Sequence, residues 1–510
     1  YIYRMIYARG ERIMKNPVFV GIDFGTSSIK ICLFDRTGTL LKETSANISV
    51  KKIEKIFSEL DLVDVKIKML GLLKSTVAGI EEQIVSIGFS VTSPTLVLFD
   101  GNLNPVRNGI LYLDNRSEKE VKEYAEILGG KRAYFEYVGN SPAPSTCLPG
   151  ILHWIQKYEP ESWEKTWKFG YLNSYLASVL TGKLAADPTT VSYSGLATVS
   201  DPYHWDKKLI TAAGIQPDKL PDIIPCFEPV GTLTAEAAGF LGLPRDLPVV
   251  VGSADTAAAS LALGLNKHGD TFDSVGTSEV FTVCLDRPAP HAAFMNRCHV
   301  IPGLWLAHGA MSTTGAAINW IRNFVFPELT SLELIENEAL KSHAGAESLI
   351  FLPYLSGERS PIFDPNTCGV IFGLTVNSQR KDIVRAVYEG PGYGIRQLYD
   401  IAKSTWDIHP DFIRCVGGAS KSRLVLQIRS DMINLPYQSM EVANASAYGA
   451  AMLGAVAAGY YTIYNVPGCR TGSESAQPDT EHQKIYEKNY AIYNSLYPCL
   501  KELMHLQKES

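Results

Sequence analysis

A chain of 510 residues is too long for one hydrophobic core, so two large domains with connecting segments are expected. Its 46% hydrophobic and 20% charged residues are those of an ordinary globular protein, and a formal net charge of −6 without lysine or arginine blocks argues against nucleic acid or an anionic membrane as the main partner. The nine scattered cysteines form no C-x-x-C pair and no histidine cluster stands at metal spacing, which points away from a zinc site or disulfide framework and towards free thiols in a reducing cytoplasm.

The opening YIYRMIYARGERIMKNP carries charges throughout and lacks an apolar run, so it is not a secretory signal; residues 1–16 read as an extension, with Met14 a candidate start. In VFVGIDFGTSSIK a strand of Val18, Phe19, Val20 and Ile22 delivers Asp23 into the turn Gly25-Thr26-Ser27-Ser28. A carboxylate at the carboxyl end of a buried strand faces a crevice, and a turn rich in N–H groups and hydroxyls suits phosphate oxygens, although alone it is usually only a turn. Ile31 to Phe34, the turn Asp35 to Gly38 and Thr39 to Leu41 continue a meander. Ile53 to Val77 has helical periodicity, and Ile84 to Phe89 and Leu96 to Phe99 are strands around a polar excursion, Ser90 to Thr95. Gly109 to Tyr112 leads into Asp114-Asn115-Arg116. A loop ion pair explains Asp114 and Arg116 in isolation, yet this loop emerges where an α/β sheet places its ligand.

Val121 to Leu243 is mostly helical, at Val121 to Ile127, Leu148 to Tyr158 and Tyr171 to Leu180, and reads as an insertion closing one side of the first domain. Pro244 to Pro248 is the expected boundary. PVVVGSADTA then repeats the opening pattern: Val249 to Val251 make a strand, and Asp255 stands where the alanine-rich run Thr256 to Leu265 begins a helix, so that either crevice chemistry or helix capping accounts for it. Gly269 to Phe281 supplies a strand, the turn Gly276-Thr277-Ser278 and another strand, and this recurrence strengthens the phosphate reading of both turns. Ser312 to Phe324 is a helix whose Gly315, Ala316 and Ala317 allow close approach. Asp382 to Leu398 is an amphipathic helix, and Phe412 to Val416 is a strand ending in Gly417 to Ser422, where backbone can lie against a nucleotide. Ala445 to Tyr461 reads as a buried helix and not a membrane span. Tyr486, Tyr490, Tyr493 and Tyr497 fall on one face of a final docking helix.

GVIFGLTVNSQRKDIVRAVYE, Gly369 to Glu389, resembles the second signature of the FGGY carbohydrate kinases, members of the actin-like ATPase superfamily, and Leu352 to Thr375 looks most like the xylulokinase branch. The likeness extends over Val18 to Leu500. It implies an α/β fold of two ribonuclease-H-like domains of the actin/hexokinase type, 17–247 and 248–505, flanking a cleft for nucleotide and sugar. It further implies ATP and Mg²⁺. By position, Asp255 matches the general base, Asp23 the acid near the metal, and Gly25, Thr26, Ser27, Ser28 and Lys30 the first phosphate loop. Gly276, Thr277 and Ser278 match the second phosphate loop, Gly315 a nucleotide-contacting glycine, and Gly417, Gly418, Ala419 and Ser422 the adenosine motif. Asp114 and Arg116 match the sugar-side D-x-R.

The departures fall on the sugar side. Val91, Thr92, Ser93 and Pro94 replace a Gly-Gln-Met-His-like or Asn-Gln-Arg-Glu-like segment, Tyr112 replaces Trp, and Thr256 replaces Gln or Asn. Thr92, Ser93, Tyr112 and Thr256 therefore join Asp255 as substrate-side candidates. The implied activity is transfer of the γ-phosphoryl group of MgATP to a hydroxyl of a small sugar, a ketopentose such as D-xylulose first, with another polyol, ketose or sugar acid as the alternative. A non-enzymatic, nucleotide-dependent binding module is the rival from another class. A cytoplasmic location is expected, with a homodimer left open.

Overall fold

The computed structural model describes residues 16–53 and 56–509, so residues 1–15 of the expected extension lie outside it. Val18–Phe24 (β1) and Ser28–Phe34 (β2) are almost wholly apolar and fold back on each other in antiparallel register, Asp23 opposite Lys30. Leu40–Asn47 (β3) extends the meander beside β2. On the other side of β1 lies Ile84–Val91 (β4), parallel to it, and the outer places are taken by Pro248–Val250 (β6) and Pro229–Thr232 (β5). The order is β5-β6-β4-β1-β2-β3, with the short Ser253–Ala254 strand also pairing with β4.

The second sheet repeats this order. Thr271–Val275 (β7) and Glu279–Leu285 (β8) form its hairpin, and Met295–Cys298 (β9) and Trp305–Met311 (β10) continue from β8. Ile413–Val416 (β11) and Tyr437–Glu441 (β12) run parallel beside β7, and Arg470–Ala476 (β13) closes the edge antiparallel to β12. Apart from the extra β9, the path β13-β12-β11-β7-β8-β10 matches β5-β6-β4-β1-β2-β3 strand for strand. This corrects the repeat read from sequence. Pro248 to Ala254 belongs to the first sheet, and the true counterpart of β1 is β7, whose hairpin follows some twenty residues later. The expected boundary before Pro248 therefore cuts through the first sheet; three consecutive valines signal a buried strand but not which sheet takes it.

Two helices lie between the sheets: Asp255–Ala262 (α1), following the first sheet's edge-ward strand, and Ala445–Ala457 (α2), in the same topological place after β12. Their glycine and alanine faces let backbone meet backbone. A Cβ on Gly449 would stand 2.0 Å from Ala258 O, and one on Gly21 of β1 only 1.9 Å from Ala447 O. Thus α2, though it belongs to the second unit, is seated directly on the first sheet, and it is the buried helix expected for that stretch.

Between Ile53 and Val77 the helix is shorter than expected: Val50–Ile53 and Phe57–Leu60 pair as a hairpin, and the helix runs over Leu62–Val77, capped by Asp61, whose carboxylate accepts the N–H groups of Val63 and Asp64. Ser312 to Phe324 likewise starts late, at Gly315, with Gly315–Trp320 passing into a π-type turn. The insertion packs its helices, Leu148–Tyr158 among them, into a separate apolar cluster. The last helix, Thr480–Glu509, docks through Tyr486, Tyr490 and Tyr493 on Tyr393.

Candidate active site

Asp23 reaches the space between the sheets because β1 ends there. The parallel register sets it beside Ser90 of β4, whose hydroxyl donates to Asp23 Oδ1 at 2.8 Å. Burial pushes the Asp23 carboxyl up to about 6; the negative charge of Asp255 adds to this, while Ser90, Lys30 and Asn444 oppose it. The charge of Asp255, 232 residues away in the chain, therefore bears on Asp23.

Asp255 is the first residue of α1. Its Oδ1 accepts the N–H of its own neighbour Thr256 at 2.6 Å, and it makes no side-chain cap to the next turn. The capping alternative is thus not what the structure shows, since a cap accepts from the second or third helical N–H. The strand before it is pinned from the insertion: Ala254 N–H donates to Thr189 Oγ1 at 3.0 Å, and Asn173 Nδ2 to Val251 O at 3.2 Å, with Asp187 accepting from both Asn173 and Thr189. Burial raises the Asp255 carboxyl above its usual range, and the Arg297 guanidinium draws it part of the way back.

The two glycine turns share one geometry. Gly25 N–H donates to Ser28 O at 3.0 Å and Gly276 N–H to Ser278 O at 2.9 Å, and among the described residues no acceptor takes the N–H groups of Thr26, Ser27 or Thr277. Gly315 stands against the second turn as a spacer: Thr314, Gly315 and Ala316 donate their N–H groups to the Thr277 and Gly276 carbonyls, and a Cβ on Gly315 would lie 2.5 Å from Gly276 O. Those helix-start donors are thereby already used. Gly417, at φ +93°, approaches Val275 equally closely, whereas Gly418 faces open space with nothing within 4 Å of an added Cβ. Ala419 packs at the core's edge, and Ser422 caps Arg423–Ile433, accepting from Val425 N–H at 3.1 Å and donating to Glu336 at 2.9 Å.

On the other side of Asp255, Tyr112 reaches the first turn through Thr26, hydroxyl to hydroxyl at 3.4 Å. Thr92 N–H donates to Phe24 O at 2.8 Å, and Ser93 Oγ accepts from Arg297 Nη1 at 3.3 Å. Thr256 Oγ1 is buried without a partner. Asp114 and Arg116 are different: both are buried and bind each other, with Arg116 also held by Glu59 at 2.7 Å and stacked on Phe57 and Trp154, and with Asp114 Oδ2 accepting Ser58 N–H at 2.6 Å. In this structure the loop ion pair describes their contacts, and the pair braces the loop that presents Tyr112.

Four residues escaped the sequence. Arg297 of β9, 5% exposed, lies with its guanidinium 4.4 Å over the ring of buried Tyr193. Glu358 accepts the N–H groups of Ser312 and Arg359 at 2.7 and 2.8 Å, keeps Oε2 buried and unpartnered, and is pushed up to about 7 by burial. Asn444, capping α2, is the fourth, through its contact with Asp23. An arginine inside the apolar run FMNRCHVI and a Gly-Glu-Arg inside a turn-rich loop were the only signals of Arg297 and Glu358.

A buried aspartate at the end of β1 that feels the charge of Asp255, and two glycine turns of one geometry on a twofold-repeated fold, agree with what comparison with known proteins finds. The model of the FGGY family of carbohydrate kinases, N-terminal domain, matches residues 18–262, and that of the C-terminal domain matches residues 273–458. The chain is 29% identical to a xylulose kinase of Staphylococcus epidermidis over 96% of this chain and 98% of that one, and 25% identical to a gluconokinase of Bacillus licheniformis over 94% and 96%. Among solved structures, the ligand-bound xylulose kinase from Lactobacillus acidophilus superposes with a TM-score of 0.88 at 23% identity, over 95% of this chain and 98% of that one. The first family match ends at α1 and so keeps Asp255 with the first sheet, as the strand pairing does. The chain belongs to the FGGY family of carbohydrate kinases.

Proposed function

We propose that this sugar kinase transfers the γ-phosphoryl group of MgATP to a hydroxyl of a small sugar, with Asp255 as the base that orients the hydroxyl and accepts its proton. The observation that carries this reading is the position of Asp255, at the start of α1, free of capping duty and with its charge bearing on Asp23. Its carboxyl, raised by burial, is a better proton acceptor than an exposed aspartate.

The residues present suit the nucleotide. The unbonded N–H groups of Thr26, Ser27 and Thr277 offer donors for phosphate oxygens, Lys30 stands opposite Asp23 in the hairpin register, and Gly418 leaves the space that a nucleoside needs. Among the described residues no cluster of three or more His, Cys, Asp or Glu could hold a metal unaided, which suits Mg²⁺, an ion usually held by one or two carboxylates together with substrate phosphates. Asp23 is the carboxylate for that role. When bound, the ion neutralises charge building on the transferred group. Ser90 keeps Asp23 oriented, and Tyr112 ties the sugar-side loop to the first turn. Nine unpaired cysteines fit a cytoplasmic location.

Xylulose kinases and a gluconokinase among the relatives leave the acceptor either a neutral ketopentose or a sugar acid. The test is ADP release with a panel of both, for the wild type and Asp255→Asn. Sugar-dependent release by the wild type, falling about 10²- to 10⁴-fold in the variant while ADP still binds, is the expected result. Release that no sugar stimulates contradicts the reading.

A further inference from the structure

Arg297 bears on Asp255 through its charge alone, and its surroundings are costly for a cation. It is 95% removed from solvent, yet no carboxylate among the described residues comes within 4.0 Å of it. It makes a single hydrogen bond, to Ser93 Oγ, rests on the face of Tyr193, and keeps Nε buried and unpartnered. A hydroxyl and a ring face satisfy a guanidinium only in part, and a buried charge normally persists where an anion completes it. The charges of Arg359 and Asp255 also bear on the Tyr193 phenol.

The place of Arg297 says which ligand brings the missing anion. Ser93 belongs to the altered loop Val91 to Pro94, and Tyr193 to the helical insertion, whereas the glycine turns that suit phosphate lie at the ends of β1 and β7. Arg297 therefore serves the acceptor side of Asp255 and not the nucleotide side. Its planar fork of donors matches a carboxylate in bidentate fashion. We propose that Arg297 binds a carboxylate of the acceptor, so that the substrate of this enzyme is a sugar acid, whose hydroxyl is presented to Asp255. This rests on the kinase reading above and names the acceptor class within it.

The test compares each aldonate with the neutral polyol or ketose of equal chain length, gluconate with glucitol and xylonate with xylulose, by ADP release and by ligand-induced thermal stabilisation, in the wild type, Arg297→Met and Arg297→Lys. The wild type should favour the acid by about 10²-fold or more in kcat/KM, a margin that Arg297→Met removes and Arg297→Lys partly restores. The KM for ATP should stay within about threefold, as expected when a substrate-side contact alone is lost. Acids should raise the melting temperature of the wild type and not of Arg297→Met, a readout independent of turnover. If the wild type uses neutral sugars as well as acids, or if Arg297→Met weakens both alike, the assignment is overturned and the kinase stands. If neither class is turned over or stabilises the wild type, the kinase reading falls with it. The wild-type preference decides the matter even if both variants fail to fold.

Discussion

In the first half of the molecule, the helix that follows the edge-ward strand begins with Asp255; in the second half, the helix in the same topological place is capped by Asn444. Asn444 does structural work, its Oδ1 accepting Ala447 N–H at 3.0 Å, while Asp255 leaves the equivalent donors alone and takes only Thr256 N–H. The hairpins differ in the same way. Asp23 stands two residues before the first glycine turn, and Ser274 two residues before the second. A repeated fold thus supplies paired positions, and the proposed chemistry falls to the member of each pair that carries a carboxylate not consumed by folding. The other member serves the scaffold, and Asn444 also reaches Asp23.

That asymmetry can be broken at several points. The largest effect belongs to Asp255→Asn, with kcat lowered about 10²- to 10⁴-fold and no loss of melting temperature, because no cap is lost and a carboxyl raised by burial gives way to a neutral amide. Next come the glycines on which the two halves meet. Gly21→Ala or Gly449→Ala would push a methyl group to within about 2 Å of a backbone carbonyl, and neither neighbour is a flexible side-chain end. Each should cost about 3 kcal/mol or more in denaturant unfolding. Asp23→Asn should instead stabilise the metal- and nucleotide-free protein. The native carboxyl is pushed up to about 6 from an ordinary 3.8, so the contribution of Asp23 to wild-type stability is fully present below pH 4 and is lost as pH rises through 6. The variant should gain about 1–3 kcal/mol at pH 7 and nothing at pH 4, while losing activity. The smallest effect is Asn444→Ala, about 1 kcal/mol of stability, as for other helix caps. A loss of kcat in that variant as large as in Asp255→Asn would erase the division of labour between the twins.

Much of this site was legible in the chain because local patterns carried it: an apolar strand ending in Asp23, glycine turns at 25–28 and 276–278, and alanine-rich helices too small-sided to be surface elements. What failed were matters of partnership. Three valines at 249–251 looked the same whether they opened a second sheet or closed the first, and only the parallel pairing with β4 decides it. The hairpin before Leu62 lies within a run of helical period, and the cap at Asp61 is the local signal that separates the two. The contacts that Gly315 and Ser422 make within the protein, turn packing and helix capping, were likewise not legible from residue type. Arg297 could not be found from periodicity at all, since its meaning depends on Ser93 and Tyr193, distant in sequence and supplied by the other half.

The account stands most directly on phosphorus NMR of the protein with MgATP and a sugar acid or ketose, run beside Asp255→Asn with ADP affinity measured on the same samples. It predicts a new phosphomonoester signal matching ADP one for one in the wild type, and almost none in a variant that still binds ADP. Ester formation at near wild-type rate by Asp255→Asn, or ADP and inorganic phosphate with no ester from the wild type, would contradict it.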